Sequence, residues 1–186
     1  MRHPAPPFDP WLWLQACNET WAAGWSRATA MRLREQRLAA LIERALRDSP
    51  LYRRRAPAAQ RLADFEPVDK ALLMQHFDDW ATDRRITRAA AAPFIADARC
   101  IGDGWLDDYL VWTSSGTSGV PGWFVQDASS LAAYDAIDAL RLHSAAALQA
   151  SLGPWGAGQR FAYVGAGGGH FAGLVTMTRL QRLALP

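Results

Sequence analysis

The sequence is poor in several residues that commonly give a function away. It has two cysteines, Cys17 and Cys100, which lie far apart at no metal-ligand spacing and read as thiols of a reducing compartment. Lys70 is the only lysine among twenty basic residues. That excludes a Walker loop, because Gly-x-x-x-x-Gly-Lys-Ser/Thr needs a lysine and none follows residue 70. Gly-x-Ser-x-Gly is absent, so a serine hydrolase using Ser115 or Ser118 with His143 or His170 would rest on residue types alone. The glycine run at 165–170 puts His170 where a dinucleotide-binding turn needs its third glycine, and no acidic residue follows it. No stretch approaches the roughly 20 apolar residues of a membrane helix. The four apolar residues 11–14, behind Pro4, Pro6, Pro7 and Pro10, make no secretory signal. The expectation is a cytoplasmic protein without a membrane partner. A net charge of +2 does not call for nucleic acid either.

Half of the 186 residues are apolar, enough to bury a substantial core. Residues 1–60 read as a helical segment. Trp11, Trp21 and Trp25 fall near one face of a helix, with Trp13 out of register, and are expected to cover the main domain as a packed flap. Leu38, Leu41, Ile42, Ala45 and Leu46 follow the spacing of an amphipathic helix that ends at Asp48, Ser49 and Pro50. Its arginines, continued by Arg53, Arg54 and Arg55, read as a solvated face with partners at Glu35 and Glu43. Residues 61–186 read as α/β. Asp69 is placed to cap a helix through Leu72, Leu73, His76, Phe77 and Trp80, with His76 a packed histidine and no metal ligand. The carboxylates of 81–108, including Asp103, Asp107 and Asp108, read as loop solvation. After residue 127 a helix capped by Asp127 or Ser129 should bury Leu131, Tyr134, Ile137, Leu140 and Leu148. A break at Gly153, Pro154 and Gly156, a short strand over 160–164 and a helix over 171–185 complete the order.

The most informative stretch is 109–127. Tyr109, Leu110, Val111, Trp112 and Thr113 form a β-rich run, which resumes at Trp123, Phe124 and Val125. Between them lie Ser114, Ser115, Gly116, Thr117, Ser118, Gly119, Val120, Pro121 and Gly122. Hydroxyls and backbone N–H donors with so little steric bulk suit a loop that wraps phosphate oxygens. The same composition also makes ordinary surface turns.

The order Ser-Ser-Gly-Thr-Ser-Gly-Val-Pro resembles the phosphate-loop signature of the adenylate-forming enzymes, with Ser114, Ser115, Gly116, Thr117, Ser118, Gly119 and Pro121 matching position by position. Ser49, Pro50, Tyr52 and Arg53, then Phe65, Pro67 and Lys70, are similar in order to the amino-terminal region of the phenylacetate-CoA ligase-like branch. The resemblance implies the amino-terminal part of the family's large domain, a mixed sheet flanked by helices. It also implies an AMP-forming carboxylate ligase: ATP and a carboxylic acid, aromatic or otherwise, give an acyl-adenylate and pyrophosphate, and the acyl group then passes to a thiol, commonly that of CoA. On that basis ATP with Mg²⁺ is the expected cofactor. Ser114, Ser115, Thr117 and Ser118 would contact phosphate oxygens, while Gly116 and Gly119 let the loop move. Gly169, His170 and Phe171 look like the segment bordering the acyl pocket. Val120 stands where many family members have a basic residue. The family's later motifs, for adenine, ribose and metal and the catalytic lysine of the small domain, have no counterpart in these residues. A chain with little ligase activity of its own is therefore expected, and no catalytic residue or protein metal ligand is assigned. The alternative is a non-catalytic module that binds a partner or polyanion through its tryptophan- and arginine-rich amino terminus.

Overall fold

The computed structural model describes residues 7–114, 116, 119–142, 164, 165 and 167–183. Local capping decides where most helices start. Helix α1 (Pro10–Ala23) begins at Asp9, whose Oδ1 accepts from the Trp11 N–H at 2.8 Å and the Leu12 N–H at 3.2 Å, with Pro10 at a position that needs no N–H. Helix α2 (Arg27–Asp48) begins at Ser26, whose Oγ accepts from Thr29. Ser49 then closes α2 and opens α3 (Pro50–Arg55). Buried Ser49 also donates its hydroxyl to the Asp79 carbonyl at 3.0 Å, tying this corner to the next helices.

Asp69 caps α4 (Lys70–Gln75) through the Leu72 N–H, as its position predicts. The single helix expected onward to Trp80 does not form. The chain leaves helical geometry at His76 (φ −108°, ψ 30°) and restarts as α5 (Phe77–Trp80). The break turns Phe77 inward, leaving it 3% exposed beside Met74. Helix α6 (Arg88–Ala96), unmarked by the sequence reading, starts on a Thr87 cap and contains Pro93.

Strands β1 (Tyr109–Thr113) and β2 (Trp123–Asp127) pair antiparallel, Tyr109 opposite Asp127 and Thr113 opposite Trp123. Thr113 also forms a single parallel bridge with Phe171. Asp127 caps α7 (Ala128–Leu142) by accepting from the Ser130 N–H, and α8 (Ala172–Leu183) follows Phe171. The result is a mixed α/β protein, mostly helical, with a small two-stranded antiparallel sheet among the described residues. The break expected at 153–156, the strand expected over 160–164 apart from exposed Val164, and Leu148 lie outside the described residues.

The core has three parts. Met74, Phe77, Ile86, Ala91, Trp105 and Val111 are buried under Trp80, Phe94 and Trp123, with Phe77 and Trp123 edge to face at 5.7 Å between centroids. Ile101, Leu110, Leu131 and Val175 join the other face of β1 to α7 and α8. Ala16, Ala132 and Ala136 form a seam between α1 and α7, flanked by Leu12, Trp13 and Cys17.

That seam corrects two expectations. Helix α7 buries Leu131, Ala132 and Ala136, and leaves Tyr134 and Ile137 exposed, because one side meets the sheet and another meets α1 at close range. Trp11, Trp21 and Trp25 do not cover the domain: they are 79%, 62% and 74% exposed, while Trp13 takes the packed side. Asp103 is a third correction. It is buried and paired with Arg182 of α8, where the sequence suggested a solvated loop carboxylate. Gly102 makes this approach possible: its φ is +78°, and a Cβ there would stand 2.8 Å from the Thr178 side chain.

Candidate phosphate-loop site

The register of β1 and β2 fixes the ends of the loop over residues 114–122. Immediately beyond the Thr113–Trp123 pair, the Ser114 N–H donates to the Gly122 carbonyl at 2.9 Å. The Gly122 N–H in turn donates to Ser114 Oγ at 2.7 Å. Ser114 therefore closes the neck of the loop with both backbone and side chain, so its hydroxyl oxygen is engaged in structure. Gly122 is buried at this neck, and a Cβ on it would stand 2.9 Å from the Phe124 ring and 3.2 Å from Lys70 Cδ.

Two glycines shape the tip. Gly116 has φ +71°, its carbonyl accepts from the Gly119 N–H at 2.8 Å, and a Cβ on it would stand 3.0 Å from the Pro121 ring. Gly119 has φ +108°, and a Cβ there would meet nothing within 4 Å, so this backbone faces open space. Strain makes glycine necessary at both positions, and openness at Gly119 leaves room for a ligand to approach the chain. Of the residues assigned to the phosphate loop, Ser114, Gly116 and Gly119 are placed in this way. Ser115, Thr117 and Ser118 lie outside the described residues.

The second expected segment arrives beside the first. The Thr113 N–H donates to the His170 carbonyl at 2.6 Å, and the Phe171 N–H donates to the Gly169 carbonyl at 2.8 Å. The end of β1 thus lies between β2 and residues 169–171, bringing two stretches far apart in sequence to one strand end. Residues 169–171 meet β1 through the His170 carbonyl and the bridge at Phe171. The His170 ring turns away into the protein, 1% exposed, with Nε2 3.2 Å from the Asp97 carbonyl oxygen and its centroid 5.3 Å from that of Phe94. The Asp97 carbonyl can only accept, so Nε2 is the donor, and Nδ1 is buried without a hydrogen-bond partner among the described residues.

Lys70 is the neighbour that sequence reasoning did not assign to the loop. It occupies the first turn of α4, and its stem lies against Gly122. The signal was there in outline, since a lone lysine three positions after Pro67 was part of the family resemblance, but adjacency to the loop is a tertiary fact. Next to it, Arg88 lies over the Trp123 ring at 4.6 Å and donates to the Met74 carbonyl, while the Trp123 N–H donates to Met74 Sδ at 3.2 Å. At the opposite end of β1, the Tyr109 hydroxyl donates to Asp83 at 2.8 Å. Arg85 donates to the same carboxylate, from both its guanidinium and its backbone N–H, and to Asp108. The Arg85 contacts and the Tyr109 hydroxyl hold the Asp83 carboxyl well below the usual range, and burial pushes the Tyr109 phenol up. These charges anchor the strand and are remote from the loop.

The two weaker sequence motifs also meet. Tyr52 and Phe65 stack edge to face at 5.8 Å and line, with Leu38, Leu41, Ile42 and Trp80, an apolar cavity of about 500 Å³. Among the described residues no group of three or more His, Cys, Asp or Glu could hold a metal ion.

No family model, curated protein or solved structure matches this chain. The functional reading therefore stands on the loop, its neighbours and the order of its residues.

Proposed function

We propose that the chain carries the phosphate-loop portion of an AMP-forming carboxylate ligase of the acyl- or aryl-CoA type. The observation that carries this reading is the convergence at Thr113: a glycine-strained loop closed by Ser114 and Gly122 on one side, and the glycine-rich segment ending at His170 and Phe171 on the other. In a ligase the phosphates of ATP must be neutralised and held while a carboxylate attacks the α-phosphorus. On this reading the open backbone at Gly119 and the hydroxyls of Ser115, Thr117 and Ser118 offer donors to those oxygens. Lys70 at the base of the loop supplies the positive charge that Val120 does not. Mg²⁺ would enter with the phosphates of its substrate, and the chain's own part is binding and orientation. The acid and the CoA thiol would meet beyond residues 169–171. The reading assigns phosphate contact to these residues and leaves complete ligation to elements they do not contain.

Thermal unfolding with and without MgATP tests the proposal. Saturating nucleotide at a hundredfold excess over its dissociation constant should add about 2.7 kcal/mol of stability, and Thr117→Val with Ser118→Ala should remove that gain while leaving the unliganded melting temperature nearly unchanged. Equal stabilisation of the double variant would sink the loop assignment.

The second reading, a non-catalytic binding module, is favoured by one observation, the exposure of Trp11 and Trp21 on α1 and of Trp25 in the turn that follows it.

A further inference from the structure

We propose that the outer face of α1 and its junction with α2 form a surface that lies on anionic lipid. Trp11, Leu14, Trp21 and Trp25 are all exposed, and with Asn18 between them they recur at steps of three and four residues along one side of the chain from α1 into its C-terminal turn. Phe8, just ahead of the helix, is exposed as well. The opposite side of α1 is committed to α7 through Leu12, Trp13, Ala16 and Cys17. A helix apolar on two sides calls for cover on both, and α7 supplies one.

Charge identifies the occupant. Residues 1–60 carry ten arginines against five acidic residues, whereas residues 61–186 carry ten basic against thirteen acidic. The basic excess of the chain is therefore confined to the segment that exposes the tryptophans. Arg37 is engaged by Glu19, and Arg47 by Glu43 and Asp48. Arg27, Arg32 and Arg34, in the first two turns of α2 directly after Trp25, are exposed and in no ion pair among the described residues. Exposed Met31 lies among them.

Indole side chains are amphipathic and settle at the boundary between headgroups and acyl chains, and arginines beside them reach lipid phosphates with extended stems. A helix of 14 residues, roughly 21 Å long, is suited to lie in that boundary. No helix of the described residues is long and apolar enough to cross a membrane, so the contact is peripheral. A single-stranded nucleic acid would call for a basic groove tracking its backbone between the stacking rings, whereas the positions between these indoles are Leu14 and Asn18. The inference does not rest on the ligase reading.

Vesicle flotation of the full chain tests it. Binding to phosphatidylserine-containing vesicles is expected to exceed binding to pure phosphatidylcholine vesicles by about tenfold or more, and to weaken as salt is raised. Trp11→Ser with Trp21→Ser and Trp25→Ser should lose most of the binding, with an unchanged circular dichroism spectrum because these rings support no core contact. Arg27→Gln with Arg32→Gln and Arg34→Gln should erase the preference for phosphatidylserine. Absence of vesicle binding, equal binding to both vesicle types, or full binding by the tryptophan variant each overturns the proposal. A self-association in solution that the tryptophan substitutions abolish, without any lipid binding, also overturns it and makes a second copy the occupant.

Discussion

The seam between α1 and α7 and the aromatic cluster under β1 solve the same burial problem with opposite materials. In the seam, Ala16, Ala132 and Ala136 let two long helices approach closely, so a large apolar side chain has no room there. In the cluster, short helices and a two-stranded sheet leave wide gaps, which Met74, Phe77, Trp105 and Trp123 fill. Burial is near complete in both: Ala136 is 0% and Phe77 3% exposed. The difference teaches that side-chain size in this protein follows the spacing of the backbone elements, and that each region should fail in its own way.

Three perturbations sharpen that contrast. The largest effect is expected in the cluster, where Phe77→Ala removes a ring packed against Trp80 and Trp123 and leaves a cavity, for a loss of about 3–5 kcal/mol in chemical denaturation. In the seam the damaging change runs the other way. Ala136→Leu should cost about 1–3 kcal/mol by forcing α1 from α7, whereas Ala136→Gly should lose closer to 1 kcal/mol, mainly by helix propensity. If the enlarged residue were tolerated without loss, the seam would not be close-packed. The smallest effect lies at the rim of the cluster, where Asp83 anchors Tyr109. Its carboxyl titrates below the ordinary value in the folded state, so its stabilisation is fully present above the unfolded pKa of about 3.9 and is lost as pH falls towards the folded value. Asp83→Asn should therefore be less stable than the parent by up to about 1 kcal/mol near neutral pH. That gap should start to narrow below about pH 4 and keep shrinking with further acidification when denaturation midpoints are followed.

The sequence was most legible where the determinants are local. Asp69 and Asp127 cap the helices their positions predict, and Asp48, Ser49 and Pro50 mark the boundary between α2 and α3. The strands over 109–113 and 123–127 appear with the neck at Ser114 and Gly122, because aromatic and β-branched content and glycine content are written in adjacent residues. Helix faces were harder to read. Helical spacing says that Tyr134 and Ile137 share a side, but not that α7 turns its alanines to α1. The tryptophans of α1 misled for a similar reason: apolar character predicts burial only where a partner exists. Asp103 and His170 were illegible because each owes its place to a contact distant in sequence, Arg182 for one and Asp97 with Phe94 for the other. Helix α6 was hidden by Pro93, which usually argues against a helix interior.

The scarcity of lysine has a practical consequence at the neck of the loop. Once the α-amine is blocked, Lys70 is the only remaining aliphatic amine in the chain, and its stem rests on Gly122. An amine-reactive fluorophore would then attach at one address without any engineered cysteine. The label would sit where α4 meets the neck of the loop, so that a change in loop geometry is reported as a change in emission.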